Sequence, residues 1–224
     1  PEIKFDHVFR LTDKIGILQH ATFDKPHRRW GYSTDDNARA FLVSIKHFEN
    51  TGDSQLIPYI QTYLNFLKYV ARPDGSFANI VNAKKERDHT RDTDVFGRAF
   101  MALGYATQSD HLPENIKNKA AVLFTKALKM IKKINSPRSI AFALTGLCFN
   151  FQKNNSQKIL ASIKKLADRQ LKFYYKNFSP NWHWFEDQLT YSNSRLPESL
   201  YLSYLAAKNP EYLKVAKKTM KFLE

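Results

Sequence analysis

Four carboxylates in this chain sit where they could do chemistry. Asp35 and Asp36 lie in Thr34-Asp35-Asp36-Asn37-Ala38-Arg39-Ala40-Phe41. Asp94 holds a matching place in Thr93-Asp94-Val95-Phe96-Gly97-Arg98-Ala99-Phe100, and Glu186 follows Trp182-His183-Trp184-Phe185. Two carboxyl groups about 6.5–9.5 Å apart can cleave a glycosidic bond, one protonating the leaving oxygen while the other activates water. Asp36 or Asp35 suits the base, because a helix start favours negative charge. Glu186, with apolar Trp184 and Phe185 before it, or Asp94 suits the acid, because desolvation favours a neutral carboxyl.

These residues also admit a purely structural reading. Asp35 and Asp94 each stand four residues before an arginine, Arg39 and Arg98, the spacing of an ion pair along one helix face. Thr34 or Thr93 could cap the helix start. Asp36 and Asn37, however, add polar groups that a cap does not need. All three tryptophans, Trp30, Trp182 and Trp184, fall in loops rather than in helices. Aromatic rings stack on the apolar faces of sugars while polar side chains take the hydroxyls. Trp182, Trp184 and Tyr191, with Trp30, are therefore the expected platform. His20, Asn37, Arg39, Arg98, Asp187 and Asn193 are the expected hydroxyl contacts. Trp182 and Trp184 could equally plug their loop into the core.

The elements that must position these groups are helices. The apolar period predicts helices from Thr34 or Asp35 to about Asn50, and from about Ser54 to Val70. Two more run from about Asp94 to Thr107 and from Pro113 to about Ile134. A fifth and sixth follow at Ser136-Pro137 and Ser156, a seventh at Asn193 or Ser194, and an eighth at Asn209-Pro210. They alternate between an apolar inner helix and a more charged outer one. Residues 76–92 read as a short projecting hairpin. The octapeptide's return marks stacked helical hairpins. The fold expected is all-α, an α/α toroid represented by about four to five hairpins, in one domain over residues 1–224. The N-terminal 30 residues would supply some of a further hairpin. Pro1 is no natural start and the final amphipathic run ends uncapped, so the chain reads as a fragment truncated at its C-terminus.

Composition narrows the classes further. Only 7 Gly and 9 Pro in 224 residues argue against a loop-rich all-β fold. No apolar run is long enough for a membrane span, and nothing reads as a signal peptide. The single cysteine, Cys148, lies in an apolar run and reads as a small buried hydrophobe, consistent with a cytoplasmic location. The seven histidines show no metal spacing, and neither a Gly-rich phosphate loop nor a GxSxG elbow occurs. No cofactor or metal is expected. A formal net charge of +14 invites a polyanion. The lysines recur as solvated helix faces, at Lys126, Lys129, Lys132 and Lys133 or Lys214, Lys217, Lys218 and Lys221. No nucleic-acid-reading motif accompanies them, which leaves an anionic glycan or a membrane surface as other uses of the charge.

Several stretches, in order along most of the chain, resemble a bacterial and archaeal family of α/α-toroid proteins related in fold to six-hairpin glycosidases. They are residues 12–21 (TDKIGILQHA), 31–40 (GYSTDDNARA) and 74–79 (DGSFAN), then Gly97-Arg98-Ala99, Trp184-Phe185-Glu186-Asp187, Leu189-Thr190-Tyr191 and Leu196-Pro197-Glu198. Members often occur joined to, or encoded beside, sugar-nucleotide glycosyltransferases. The resemblance therefore implies carbohydrate chemistry without naming a reaction, and a glycosyltransferase as partner. The family usually shows a Glu-Asp pair before Gly-Arg; here Thr93-Asp94 stands there, so only Asp94 carries over.

The reading that follows is a carbohydrate-active enzyme, most simply an inverting hydrolase of an oligosaccharide or polysaccharide. One alternative is a non-catalytic glycan-binding module serving a glycosyltransferase. Another is a helical-repeat scaffold, which leaves the acids and tryptophans unexplained. A toroidal terpene cyclase needs a more apolar cavity than these polar loops would build.

Overall fold

The computed structural model describes residues 3–224; Pro1 lies outside the described residues. After a short helix α1 (Asp6–Leu11) come four antiparallel hairpins: α2 (Thr34–Thr51) with α3 (Leu56–Val70), α4 (Thr93–Gln108) with α5 (Glu114–Ala127), α6 (Pro137–Asn154) with α7 (Gln157–Asn177), and α8 (Arg195–Ala207) with α9 (Pro210–Leu223). Helices α2, α4, α6 and α8 pack side by side in that order as the inner layer, and α3, α5, α7 and α9 back them from outside. This is the architecture of an α/α toroid, drawn as an arc of four hairpins.

Polar side chains set most of the inner helix starts. Ser33 Oγ accepts the Asp36 amide at 3.0 Å and donates to the Asp36 carboxylate at 2.6 Å. Asp92 Oδ1 accepts the amides of Asp94 and Val95 at 2.7 and 3.3 Å. Ser136 accepts the amide of Ser139 at 3.1 Å, with Pro137 in the first turn where its missing N–H costs nothing. The caps of α2 and α4 are thus Ser33 and Asp92, one residue before the threonines that the sequence offers, because a short acceptor just outside the helix reaches the orphan amides best.

Three features depart from the periodicity. Helix α1 is too short for a period to register; it is held by Phe9 stacking on Tyr59 at 4.2 Å and by the preceding Phe5 stacking on His47 at 4.6 Å. Helix α5, expected to run from Pro113 to about Ile134, ends at Ala127 and tightens into a 3-10 turn over Leu128–Met130. Residues 76–92 do contain the short hairpin, Val81 bridging Arg87 antiparallel while the amides of Asn82 and Asp88 donate to Glu86 O and Ile80 O at 3.0 Å, but it docks beside α2 instead of projecting. Two strand pairs lie on this side: β1 (Ala21–Thr22) with β2 (Lys25–Pro26) in the N-terminal segment, and β3 (Tyr32–Ser33) antiparallel with β4 (Ile80–Val81), beside the start of α2. Thr34 completes the seam, its amide bonding Asn79 O at 2.8 Å and its hydroxyl Ala78 O at 2.6 Å. That seam fixes where Asp35 and Asp36 stand.

Inner helices α4 and α6 approach so closely that a Cβ on Gly104 would lie 2.2 Å from Gly146 O, and one on Gly146 would lie 2.8 Å from Phe100 O. Backbone meets backbone there, and only glycine fits. Cys148, nearby on α6, is buried, and burial pushes its thiol up to about 12, so it packs as a small hydrophobe. Gly104→Ala should overpack this seam and destabilise the fold by about 1–3 kcal/mol. Chemical denaturation should show a lower midpoint with an unchanged slope; an unchanged midpoint would mean the two helices can separate freely.

Candidate active site

The starts of the inner helices and the loops that feed them share one rim, and a cavity of about 670 Å³ opens there. Asp35, Asp36 and Arg39 line it from α2, and Asp94, Val95 and Arg98 from α4. Asp92 contributes from the α4 cap, Gln19 and His20 from the N-terminal segment, Asn79 and Ile80 from the β4 loop, and Tyr191 and Ser192 from the loop before α8. The lining is mostly polar, and it draws on both copies of the repeated octapeptide.

The charged groups form a connected chain across the cavity wall. Arg39 pairs with both Asp35 and Asp36, its Nη2 lying 3.2 Å from Asp36 Oδ1. Arg98 Nε lies 3.2 Å from Asp35 Oδ1 and 3.0 Å from Asp94 Oδ2. The order along the wall is therefore Asp36, Arg39, Asp35, Arg98, Asp94. Because Asp35 and Asp94 share one nitrogen at those distances, their facing oxygens are closer together than the roughly 6.5 Å that an inverting pair requires. Asp36 and Asp94 stand at opposite ends of the chain. Asp35, held between two guanidiniums, acts as their bridge.

Asp94 is the unusual acid. Its Oδ1 is buried and accepts no hydrogen bond. Burial raises its pKa above the ordinary carboxylate value; Arg98 opposes the shift, and the charges of Asp92 and Asp35 add to it. Burial and the nearby Asp94 charge also raise the Tyr191 phenol. On the outer edge, the half-exposed ring of Trp30 meets His20 edge-on at 5.4 Å, giving an accessible aromatic beside the cavity.

Of the residues that the sequence singles out, the structure brings together Asp35, Asp36, Asp94, Arg39, Arg98, His20 and Tyr191, with Trp30 beside them. The others have different surroundings. Asn37 is fully buried: its Oδ1 accepts the Ile17 amide at 2.9 Å and its Nδ2 donates to Ile17 O at 3.2 Å and Ser33 O at 2.8 Å. All its polar capacity goes to pinning the N-terminal segment, so it is no hydroxyl contact. A Cβ at Gly16 would lie 2.3 Å from Asn37 Oδ1, which explains the glycine there.

Glu186 does not line the cavity. It is engaged by Arg138, a buried residue of α6 that also donates to Tyr191 O at 2.6 Å and to Asn193 Oδ1 at 2.9 Å. Glu186 and Asn193 are thus anchors of the loop over residues 178–194, and the acid role expected of Glu186 is replaced by a charge pair. Trp184 is fully buried, facing Phe185 and Phe222, and has no ring face to offer a sugar. Trp182 donates through Nε1 to Glu186 O at 2.6 Å and meets Phe222 edge-on. Asp187 is exposed outside the cavity. The plug reading of the two tryptophans describes this loop, and the sugar platform does not.

Sequence reasoning missed Gln19, Asn79, Asp92 and Ser192 as cavity residues. Asp92 carries a signal: an acid just before an apolar-periodic run marks a helix cap, and this cap lies on the cavity rim. Asn79 gives none, since only the β3–β4 pairing brings it to α2.

Two stability measurements separate these roles. Glu186→Gln removes the charge facing buried Arg138 and should cost up to about 3 kcal/mol, read as a lower melting temperature; no change would mean the pair is not a structural anchor. A carboxyl with a raised folded pKa stabilises the fold fully below its unfolded value, 3.8 for Asp94, and this contribution is lost as pH rises through the folded value. Asp94→Asn should therefore melt above wild type near pH 7, with the gap closing toward about pH 4. A gap independent of pH would rule out burial of the Asp94 charge as its source.

The sequence matches no protein-family model, and no curated protein matches it significantly. Solved structures do match the fold. A cellobiose 2-epimerase from Bacillus thermoamylovorans superposes with a TM-score of 0.73 at 12% identity, covering 97% of this chain and 68% of that one. A sugar epimerase from a ruminal bacterium gives 0.75 at 12%, covering 97% and 68%. A D-mannose isomerase gives 0.71 at 13%, covering 96% and 66%. The chain thus spans about two thirds of the length of each, and what it shares with them is the α/α-toroid fold.

Proposed function

We propose that this chain is a carbohydrate-processing protein whose rim cavity takes a sugar, with Asp94 as general acid and Asp36 as general base. The carrying observation is the buried Oδ1 of Asp94, which accepts no hydrogen bond and belongs to a carboxyl that burial holds toward its neutral form. A protonated carboxyl at the cavity wall can give its proton to a glycosidic oxygen. Asp36, at the other end of the charged chain, begins a helix whose dipole favours the carboxylate. Its oxygens meet a serine hydroxyl and a shared guanidinium, leaving it able to accept a proton from water. Arg39, Arg98, Gln19 and Asn79 would bind hydroxyls, and Trp30 would offer the exposed ring.

His20 favours a second reading, isomerisation or epimerisation of a sugar. An imidazole nitrogen can take and return a proton beside a carbonyl, and the three solved structures of this fold named above are a cellobiose 2-epimerase, a sugar epimerase and a D-mannose isomerase. A non-catalytic glycan-holding role would use the same cavity without needing the raised carboxyl. Association with a glycosyltransferase rests on the sequence resemblance alone. Among the described residues no helix is long and apolar enough to cross a membrane.

The test is a screen of oligosaccharides and reducing sugars with product mass and D2O exchange followed together. Under the first reading a substrate gains water, and Asp94→Asn or Asp36→Asn lowers kcat by about 10²–10⁴-fold with little change in KM. A product with no added water, isomeric with the substrate apart from a carbon-bound deuterium gained in D2O, and abolished by His20→Asn, would favour the isomerase instead. Binding without turnover, equal in wild type and Asp94→Asn, would remove catalysis altogether.

A further inference from the structure

Outer helix α7 carries a groove of opposite chemistry to the rim cavity. A depression of about 630 Å³ is lined by Lys165, Arg169, Lys172 and Lys176, with Phe173 and Asn135. The spacing of these cations, four, three and four residues, sets them along one face of α7. From Lys165 to Lys176 the helix rises about 16 Å, so the charges form a track rather than a point. One carboxylate shares the groove, Asp168, and its Oδ1 already accepts the Tyr212 hydroxyl at 2.7 Å. Among the described residues none of the four cations forms an ion pair with a carboxylate.

The position of the groove is informative. Arg169 donates to Ile134 O and, at 3.0 Å, to Asn135 Oδ1, in the segment that leads into α6. The C-terminal half of α7 therefore stands beside the rim where the inner helices begin. A cation in the last turn of a helix can be explained by its dipole, which accounts for Lys176. It does not account for Lys165 and Arg169, two to three turns earlier.

We infer that the α7 groove binds a linear anionic glycan, a sugar chain bearing carboxylates at intervals. Unpaired cations along a concave wall concentrate positive potential there. The ring of Phe173 and the lysine stems supply the apolar surface that a sugar backbone uses and a compact inorganic anion does not. With one partly buried aromatic in the groove, successive nucleic-acid bases find no series of rings to stack on. The choice of a glycan over other polyanions rests on the carbohydrate reading of the cavity; the groove itself shares no residue with it.

The test titrates the wild-type chain of 224 residues with a defined oligogalacturonate at physiological ionic strength, beside a neutral dextran oligomer and a DNA duplex. The groove variant is Lys165→Gln, Lys172→Gln, Lys176→Gln. The control, with the same change in net charge, is Lys119→Gln, Lys129→Gln, Lys217→Gln, all exposed and outside the groove. The expected result is oligogalacturonate affinity weakened at least about tenfold in the groove variant and less than about twofold in the control, with no binding of dextran to the groove. Equal loss in both variants would reduce the effect to net charge. No binding by wild type, or tighter binding of DNA through the same lysines, would overturn the assignment. Asp36→Asn should keep full oligogalacturonate affinity, so the groove and the cavity can fail separately.

Discussion

The walls of the rim cavity meet at the guanidinium of Arg98. Its side chain, largely enclosed, lies between Asp35 of α2 and Asp94 of α4, over the Phe142 ring of α6 at 4.4 Å, and 3.4 Å from Ser192 Oγ in the loop before α8. Three inner helices and one loop are thereby referred to a single planar cation. Without it, two carboxylates near one another in a half-buried wall would repel and draw water in. A guanidinium suits the place because it stays charged when desolvated and offers donors in several directions. The close α4–α6 seam puts Phe142 under it, and the β3–β4 seam holds Asp35 against it.

Arg138 has a related role in the next hairpin. It ties Glu186, Asn193 and the Tyr191 carbonyl to the start of α6, and its guanidinium lies 4.9 Å from the centre of the Tyr191 ring. Two arginines on adjacent inner helices thus do different work: Arg98 organises acids that face the cavity, and Arg138 fastens the loop that supplies an aromatic to it. The acids gathered at the rim contrast with a chain carrying 35 lysines and arginines against 21 acids. That imbalance is carried largely by the outer helices, while the acids of the cavity are paired with Arg39 and Arg98.

The helical hairpins were legible because each element carries its own apolar period, and the returning octapeptide marked two equivalent starts whose acids converge on Arg98. The cavity was only partly legible. Asn37 and Asp36 are adjacent and both polar, yet one is consumed by backbone groups of residues 17 and 33 while the other faces the cavity. Trp30 and Trp184 both sit in polar loops, yet one is half-exposed and the other sealed. In each case the difference is made by a partner distant in sequence, Ile17 for Asn37 and Phe222 for Trp184, and local pattern holds no record of it. The same holds for β4, whose two residues pair with a segment on the far side of a whole hairpin.

The two ends of the arc are built unlike each other. At the rim, residues 12–33, 71–92 and 178–194 form long connections sewn down by side chains. At the opposite end, residues 52–55, 109–113, 155–156 and 208–209 turn the chain quickly, with Gly52, Asn155 and Lys208 in the left-handed conformation. Those short turns touch nothing that the cavity uses. They are the natural entry points for splicing in a tag, a fluorophore or a whole domain, and for relocating the termini by permutation, since surface turns distant from function accept such surgery best. A lengthened connection at the rim would instead move an acid, an arginine or Tyr191. The fold therefore comes with a built-in handle, at the end where nothing has to be held still.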